Sequence, residues 1–323
     1  MSLFKPRENY KPYEYPSLLK YRDAIRESYW LHKEFSYDSD VHDYRCADDR
    51  VKSLVERSLL AISQVEIAVK QFWGRLYEYL PKPEILEVGM TFAESEVRHA
   101  NAYAHLIDLL GLNDKFEEII KTPAFKQRAD QLRVAPAALF SSKGKQDVIR
   151  AIALFSVVVE NVSLFSQFYV LMALNKRLGK FRGISNAVAA TSKEEHIHAE
   201  FGFELVRLLK AELGLSSDTL KSLLLPDVWD SRVVENELID WIFEGGDIPG
   251  VITSDEVKRY VEYRYSVSSG KLGVESVFRV EQGYKPPTWF DAELVADKEV
   301  DFFAIKPVSY SRNRVSYEPS LLF

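Results

Sequence analysis

Apolar residues recur at three- and four-residue intervals over long stretches of the chain, which is the signature of amphipathic and buried helices. DDRVKSLVERSLLAISQVEIAVKQFWGRLYEYL, from Asp48 to Leu80, reads as one long helix closed by the prolines of PKP. A second runs from Glu84 to Leu110 and stops at Gly111; DKFEEIIKTPAFKQRADQLRVA follows, interrupted by Pro123. A fourth spans about Gln146 to Leu178 and a fifth about Ile184 to Leu213, with Gly179, Gly183 and Gly214 as punctuation. SSDTLKSLLL and VWDSRVVENELIDWIFEGG predict two further helices. Strand alternation, repeats and low-complexity blocks are all lacking. From about Pro286 the period is lost among prolines, aromatics and charges, which predicts an ordered wrap and then a mobile tail. The expected architecture is all-α: one helical bundle over residues 1–285 and a tail over 286–323.

With 323 residues, 46% of them hydrophobic, the chain can bury a large core. A net charge of −6 argues against general nucleic-acid binding, which needs a basic face. The single cysteine, Cys46, excludes an internal disulfide, a multi-thiolate zinc site and dithiol chemistry within one chain. The polar N-terminus MSLFKPRENYKPYEYP has no apolar signal core, and no apolar run approaches the roughly 20 residues that span a bilayer. A cytoplasmic protein, free of membrane and nucleic acid, is expected.

Chemistry enters where charge interrupts the apolar stripes. AESEVRHANAY places Glu96, His99 and Tyr103 on one helical face, and SKEEHIHAEFG repeats the Glu-x-x-His spacing with Glu195 and His198. Glu66 in LLAISQVEIAVKQFW and Glu160 in LFSVVVENVSLF are carboxylates among apolar neighbours, 30 and 35 residues before their Glu-x-x-His partners. The order is a helix with Glu, a helix with Glu-x-x-His, and the same pair again. Six ionisable groups converging in a core would repel one another and be badly desolvated. Four carboxylates and two neutral imidazoles around two divalent ions are close to neutral and can be buried. Such donors suit iron or manganese, in the arrangement of ferritin-like di-iron and di-manganese bundles. His105 and His196 are left for surface or structural roles.

FAESEVRHANAY, VVVEN, KEEHIHAEFG and WFDAELVADKEVDFFAIKPVSYS together resemble the small, radical-generating subunit of class I ribonucleotide reductase, from the Trp30 region to near the C-terminus. The resemblance implies Glu66, Glu96 and His99 on one ion, and Glu160, Glu195 and His198 on the other. It puts Tyr103, one turn or about 6 Å beyond His99, at the radical tyrosine position, where a packed core tyrosine is the other reading. It makes Trp30, in SYWLHKEF, the start of the outward radical path and Tyr310 a tail relay to a large subunit, with Tyr317 competing. The apolar end YEPSLLF suits a peptide docking in a partner's groove, or is simply a frayed terminus. With Cys46 alone, the chain needs that partner to supply thiyl and dithiol chemistry. A homodimer is implied as well.

Two departures from the family stand out: Glu66 where many members have Asp, and Glu194 where Asp usually sits in the transfer path. Lys70, one turn after Glu66, either snorkels to solvent or draws an anionic oxidant, superoxide, toward the metals. AISQVEIAVKQFW and TFAESEVRHA look like Bacteroidetes-type subunits that use two manganese ions, so manganese is preferred over iron, with Tyr103 a neighbour of the cluster rather than its stable radical. A flavoprotein activator is a candidate further partner, and the sequence leaves open whether one is needed. The rivals are a dimetal oxidase or ligand-binding relative acting without a large subunit, and an iron store.

Overall fold

A computed structural model describes residues 2–141 and 144–295. The helices, in chain order, are α1 (Leu19–Glu27), α2 (Asp38–Cys46), α3 (Asp49–Arg75), α4 (Pro83–Leu110), α5 (Asn113–Ile119) and α6 (Pro123–Ser141), then α7 (Lys145–Ile152), α8 (Leu164–Leu178), α9 (Arg182–Glu212), α10 (Ser217–Ile242), α11 (Ser254–Lys271) and α12 (Thr288–Val295). Between α7 and α8 the backbone winds as a π-helix from Ala153 to Ser163. Among the described residues, the one strand-like feature is an isolated bridge between Ile248 and Ile252. The expected all-α class is what the chain adopts.

Local chemistry sets the ends of the long helices. Asp48 caps α3, its carboxylate accepting the N–H groups of Arg50 and Val51 at 3.0 Å each. Pro83 opens α4, and Gly111, at φ +68°, closes it in the left-handed conformation that glycine adopts without strain. The start of α9 is capped from a distance. Asp40 on α2 accepts the N–H groups of Gly183 at 3.0 Å and Ile184 at 2.7 Å, and Asp43 accepts that of Phe181 at 2.9 Å.

The long helices pack into a bundle of α3, α4, α9 and the π segment with α8, while α1 lies against α4 and α9, and α10 and α11 cover the π segment. Val65, Val69, Phe72, Phe92, Phe155 and Phe201 fill the interior around the middle turns, each at most 1% exposed. The faces of Phe72 and Phe155 stack at 4.3 Å across α3 and the π segment.

Three sequence expectations are corrected. The stretch from 146 to 178 is helical throughout but changes pitch at its centre, because i→i+5 bonding replaces the α pattern. The two short helices predicted after Leu213 are one, α10, which carries Pro226 inside it. Lys145–Leu178 is long and apolar enough to cross a membrane by length and composition, contrary to the expected absence of such a stretch, yet 94% of its apolar window is buried inside the bundle. It is a core helix.

Candidate metal centre

Four rods deliver six side chains to one place: Glu66 from α3, Glu96 and His99 from α4, Glu160 from the π segment, and Glu195 and His198 from α9. Glu66 is 5% exposed and the other five at most 1%. Donor atoms of Glu66, Glu96 and His99 form one group, and those of Glu96, Glu160, Glu195 and His198 a second, with no two atoms in a group more than 4.8 Å apart.

Glu96 and Glu195 lie between the two imidazoles. The Nδ1 of His99 is 3.0 Å from Glu96 Oε2 and 3.2 Å from Glu195 Oε1. The Nδ1 of His198 is 3.0 Å from Glu96 Oε1, 3.5 Å from Glu195 Oε2 and 3.9 Å from Glu160 Oε1. Glu96 is the carboxylate common to both donor groups, and Glu195, in the second group, also reaches toward His99.

The outer contacts orient the rings. Ser95 spends its proton on the Phe92 carbonyl at 2.8 Å, so His198 Nε2–H donates to the Ser95 Oγ at 3.0 Å. His99 Nε2–H donates to Glu194 Oε2 at 2.7 Å. In both rings Nδ1 faces the cluster, so that with cations present it can offer its lone pair, the tautomer a metal-binding imidazole needs. Trp73 donates its indole N–H to Glu160 Oε1 at 2.6 Å.

The residues fit a cation pair on a direct observation. Glu66 Oε2, Glu160 Oε2 and Glu195 Oε2 are buried and make no hydrogen bond, and Glu96 Oε1 and His198 Nδ1, equally buried, have each other as nearest polar partner at 3.0 Å. Leaving so many acceptors unsatisfied is costly. Without a cation the groups could only share protons. Burial holds the Glu66 and Glu160 carboxyls well above the usual range. Burial also opposes charge on Glu96, but His198 and His99 overcome it and bring that carboxyl down to about 2. Burial lowers both imidazoles, and the surrounding carboxylates more than reverse this, putting His198 at about 10 and His99 well above its usual value. Divalent ions satisfy the same carboxylates without protonating the imidazoles.

Of the other expected residues, Tyr103 is 1% exposed, with its hydroxyl buried beside that of Thr191. Burial, then the Glu66 charge, drives the phenol well above its usual pKa. Lys70 is half-buried, and its charge reaches Glu66. Trp30 is buried, with its ring stacked on His99 at 5.9 Å and 21°. Glu194 is buried and accepts from His99 Nε2 at 2.7 Å. His105 rests against His32 and Tyr37, and His196 lies 3.8 Å from Glu200. Tyr310, Tyr317 and the YEPSLLF end lie outside the described residues.

Sequence reasoning missed Trp73, Ser95 and Arg98. Trp73 lies seven residues, two turns, after Glu66, a signal that could have found it. Ser95 and Arg98 adjoin ligand positions, and no spacing marks them.

A family model described as "Ribonucleotide reductase, small chain" matches residues 7–286. The chain belongs to that family. This ribonucleotide reductase small chain is 25% identical over 342 residues to a probable ribonucleoside-diphosphate reductase small subunit of Invertebrate iridescent virus 3, covering 97% of this chain and 86% of that one. Its fold is similar to a putative class I ribonucleotide reductase from Bacillus halodurans, with a TM-score of 0.78, 17% identity, and 86% and 99% of the two chains covered. It is also similar to a variant of an R2-like ligand-binding oxidase with a Mn/Fe cofactor, at a TM-score of 0.71 and 17% identity, covering 80% and 94%. The small chain is thus the radical-generating subunit of an oxidoreductase and works with a large subunit, which agrees with its single cysteine.

Proposed function

We propose that Glu66, Glu96, His99, Glu160, Glu195 and His198 hold a dinuclear centre, preferentially two manganese ions, and that this small chain serves ribonucleoside-diphosphate reduction through it. The observation that carries the reading is the set of buried carboxylate and imidazole atoms facing one another across four helices. When bound, the ion pair supplies the one-electron oxidising equivalent passed on to the large subunit.

The chain's own residues do the rest. Glu96, Glu195 and the other four side chains would hold the ions, and Ser95 and Glu194 fix the two imidazoles. The aromatic wall of Phe72, Phe92 and Phe155 keeps water away. Lys70 presents a positive charge next to Glu66, which favours an anionic oxidant such as superoxide over neutral dioxygen. Tyr103, with its phenol held protonated by burial, is the centre's neighbour rather than its stable radical. The working form we infer is a cytoplasmic homodimer, activated by a flavoprotein. Residues 286–323 dock on the large subunit, and Tyr310 or Tyr317 acts as the relay.

Metal analysis with electron paramagnetic resonance of the activated protein tests this. A multiline manganese signal supports it, and a narrow tyrosyl signal with bound iron overturns the manganese assignment. Likeness to an R2-like oxidase favours one rival, a dimetal enzyme acting alone. Removing residues 304–323 separates the two: the reductase loses turnover and keeps its ions, whereas a solitary oxidase keeps both.

A further inference from the structure

Resting on the reductase reading, the surroundings of Trp30 assign a role to a residue that no spacing marks. Arg98 is 3% exposed, on the ligand helix α4 directly before His99. Its Nη1 and Nη2 both donate to Glu194 Oε1 at 3.1 Å, and Nη1 also donates to the backbone carbonyl of Trp30 at 3.2 Å. Nε donates to Glu94 at 3.0 Å, and the guanidinium lies over the ring of Tyr29, 4.4 Å from its centroid. One planar group therefore touches α4, α9 and the turn at residues 28–30.

Both oxygens of Glu194 are committed. Oε2 accepts from His99 at 2.7 Å, and Oε1 accepts from Arg98 and from Ser28 at 3.3 Å. The indole N–H of Trp30 makes no hydrogen bond. Trp30 is therefore joined to the centre by its ring face on His99, at 5.9 Å and 21°, and through its carbonyl by Arg98.

We propose that Arg98 is the positioning residue of the exit side: its guanidinium clamps Glu194 onto His99 and seats the Tyr29–Trp30 turn so that the Trp30 indole lies face to face with the His99 imidazole. Only a rigid fork serves both partners. A lysine ammonium keeps the charge and can pair with Glu194, but it lacks the planar geometry that also holds the Trp30 carbonyl under a stacked Tyr29 ring. The clamp acts on the contact across which the hole leaves, and not on the ions, since Arg98 contributes no atom to either donor group.

The test uses the full-length chain labelled with 5-fluorotryptophan, with Trp30→Phe assigning the Trp30 fluorine resonance and Trp73→Phe the Trp73 resonance. In Arg98→Lys, which preserves the buried charge, the Trp30 line shifts or broadens in the metal-free protein while the Trp73 line stays in place. The manganese-loaded variant keeps the parent's ion content and activated spectrum, and its turnover with the large subunit falls at least tenfold. Arg98→Gln shows the same pattern more strongly. An unmoved Trp30 line in both variants, or parental turnover in Arg98→Lys, overturns the proposal. A parent chain that gives no turnover with any large subunit would instead count against the reductase reading, and the fluorine spectra would still decide the clamp.

Discussion

Gly202 on α9 meets Ser156 on the π segment with no room for a methyl group: a Cβ at 202 would stand 1.8 Å from the Ser156 Oγ and 2.2 Å from its Cβ. This approach brings α9, with Glu195 and His198, against the segment that carries Glu160. Gly202→Ala forces the two backbones apart and costs about 1–3 kcal/mol, as overpacking usually does. Calorimetry should show a lower Tm, and the same variant should bind fewer divalent ions per chain by elemental analysis.

Trp73 orients Glu160 through a hydrogen bond of 2.6 Å inside an apolar wall. Trp73→Phe keeps most of the ring volume and removes only the donor. Loss of an outer partner of this kind costs about 10–100-fold in metal affinity. Competition for manganese against a chelator of known affinity measures it; an unchanged constant would mean that Glu160 needs no orienting partner.

Asp40 holds the first N–H groups of α9 from a different helix. Asp40→Ala should destabilise the protein by about 1–2 kcal/mol, the upper part of the range for lost helix caps. Denaturant unfolding gives the number. Hydrogen exchange at Gly183 and Ile184 should accelerate in the variant ahead of exchange in α3.

Glu256 ties α11 to α8, accepting from Arg177 at 2.7 and 3.0 Å and from the Tyr169 hydroxyl. Burial pushes its carboxyl up, but Arg177 and Tyr169 overcome that and hold it below its ordinary 4.5. A carboxyl lowered by folding stabilises the native state above the unfolded-state value, and that contribution fades as pH falls through the folded-state value. The stability deficit of Glu256→Gln should therefore be full above pH 4.5 and shrink as the solution is acidified further. Unfolding midpoints of both proteins across that window check the sign.

Much of this was legible from the order of residues. α3, α4 and α9 lie within a few residues of their predicted bounds, because their apolar stripes are long and their ends carry proline or glycine. The six candidate ligands were legible for a related reason: a charged residue inside an apolar stripe has few structural explanations. The π winding was not, since a continuous apolar run looks the same at either pitch. Nor was the capping of α9, because Asp40 and Asp43 lie some 140 residues before the helix they close. Arg98 also escaped notice, since an arginine beside a ligand reads as a solvated neighbour until Glu194 is seen opposite it. α2 and α11 carry too little apolar periodicity to stand out, and α1, though amphipathic, is only nine residues long.

The π winding between Ala153 and Ser163 bears on how this chain tolerates change in length. Each of its hydrogen-bonded loops encloses one residue more than an α-helical loop does. A single deletion there could be absorbed by tightening to ordinary pitch, leaving a regular rod of the same apolar character. The parts of the rod on either side of the missing residue would then be turned by about 100° relative to one another. With α8 held by its neighbours, the deletion swings the upstream wall away from α9; with α7 held, it swings the carboxylate of Glu160 out of the cluster. Either way the bundle would survive with its chemistry gone, so one lost codon could turn a radical generator into an inert scaffold.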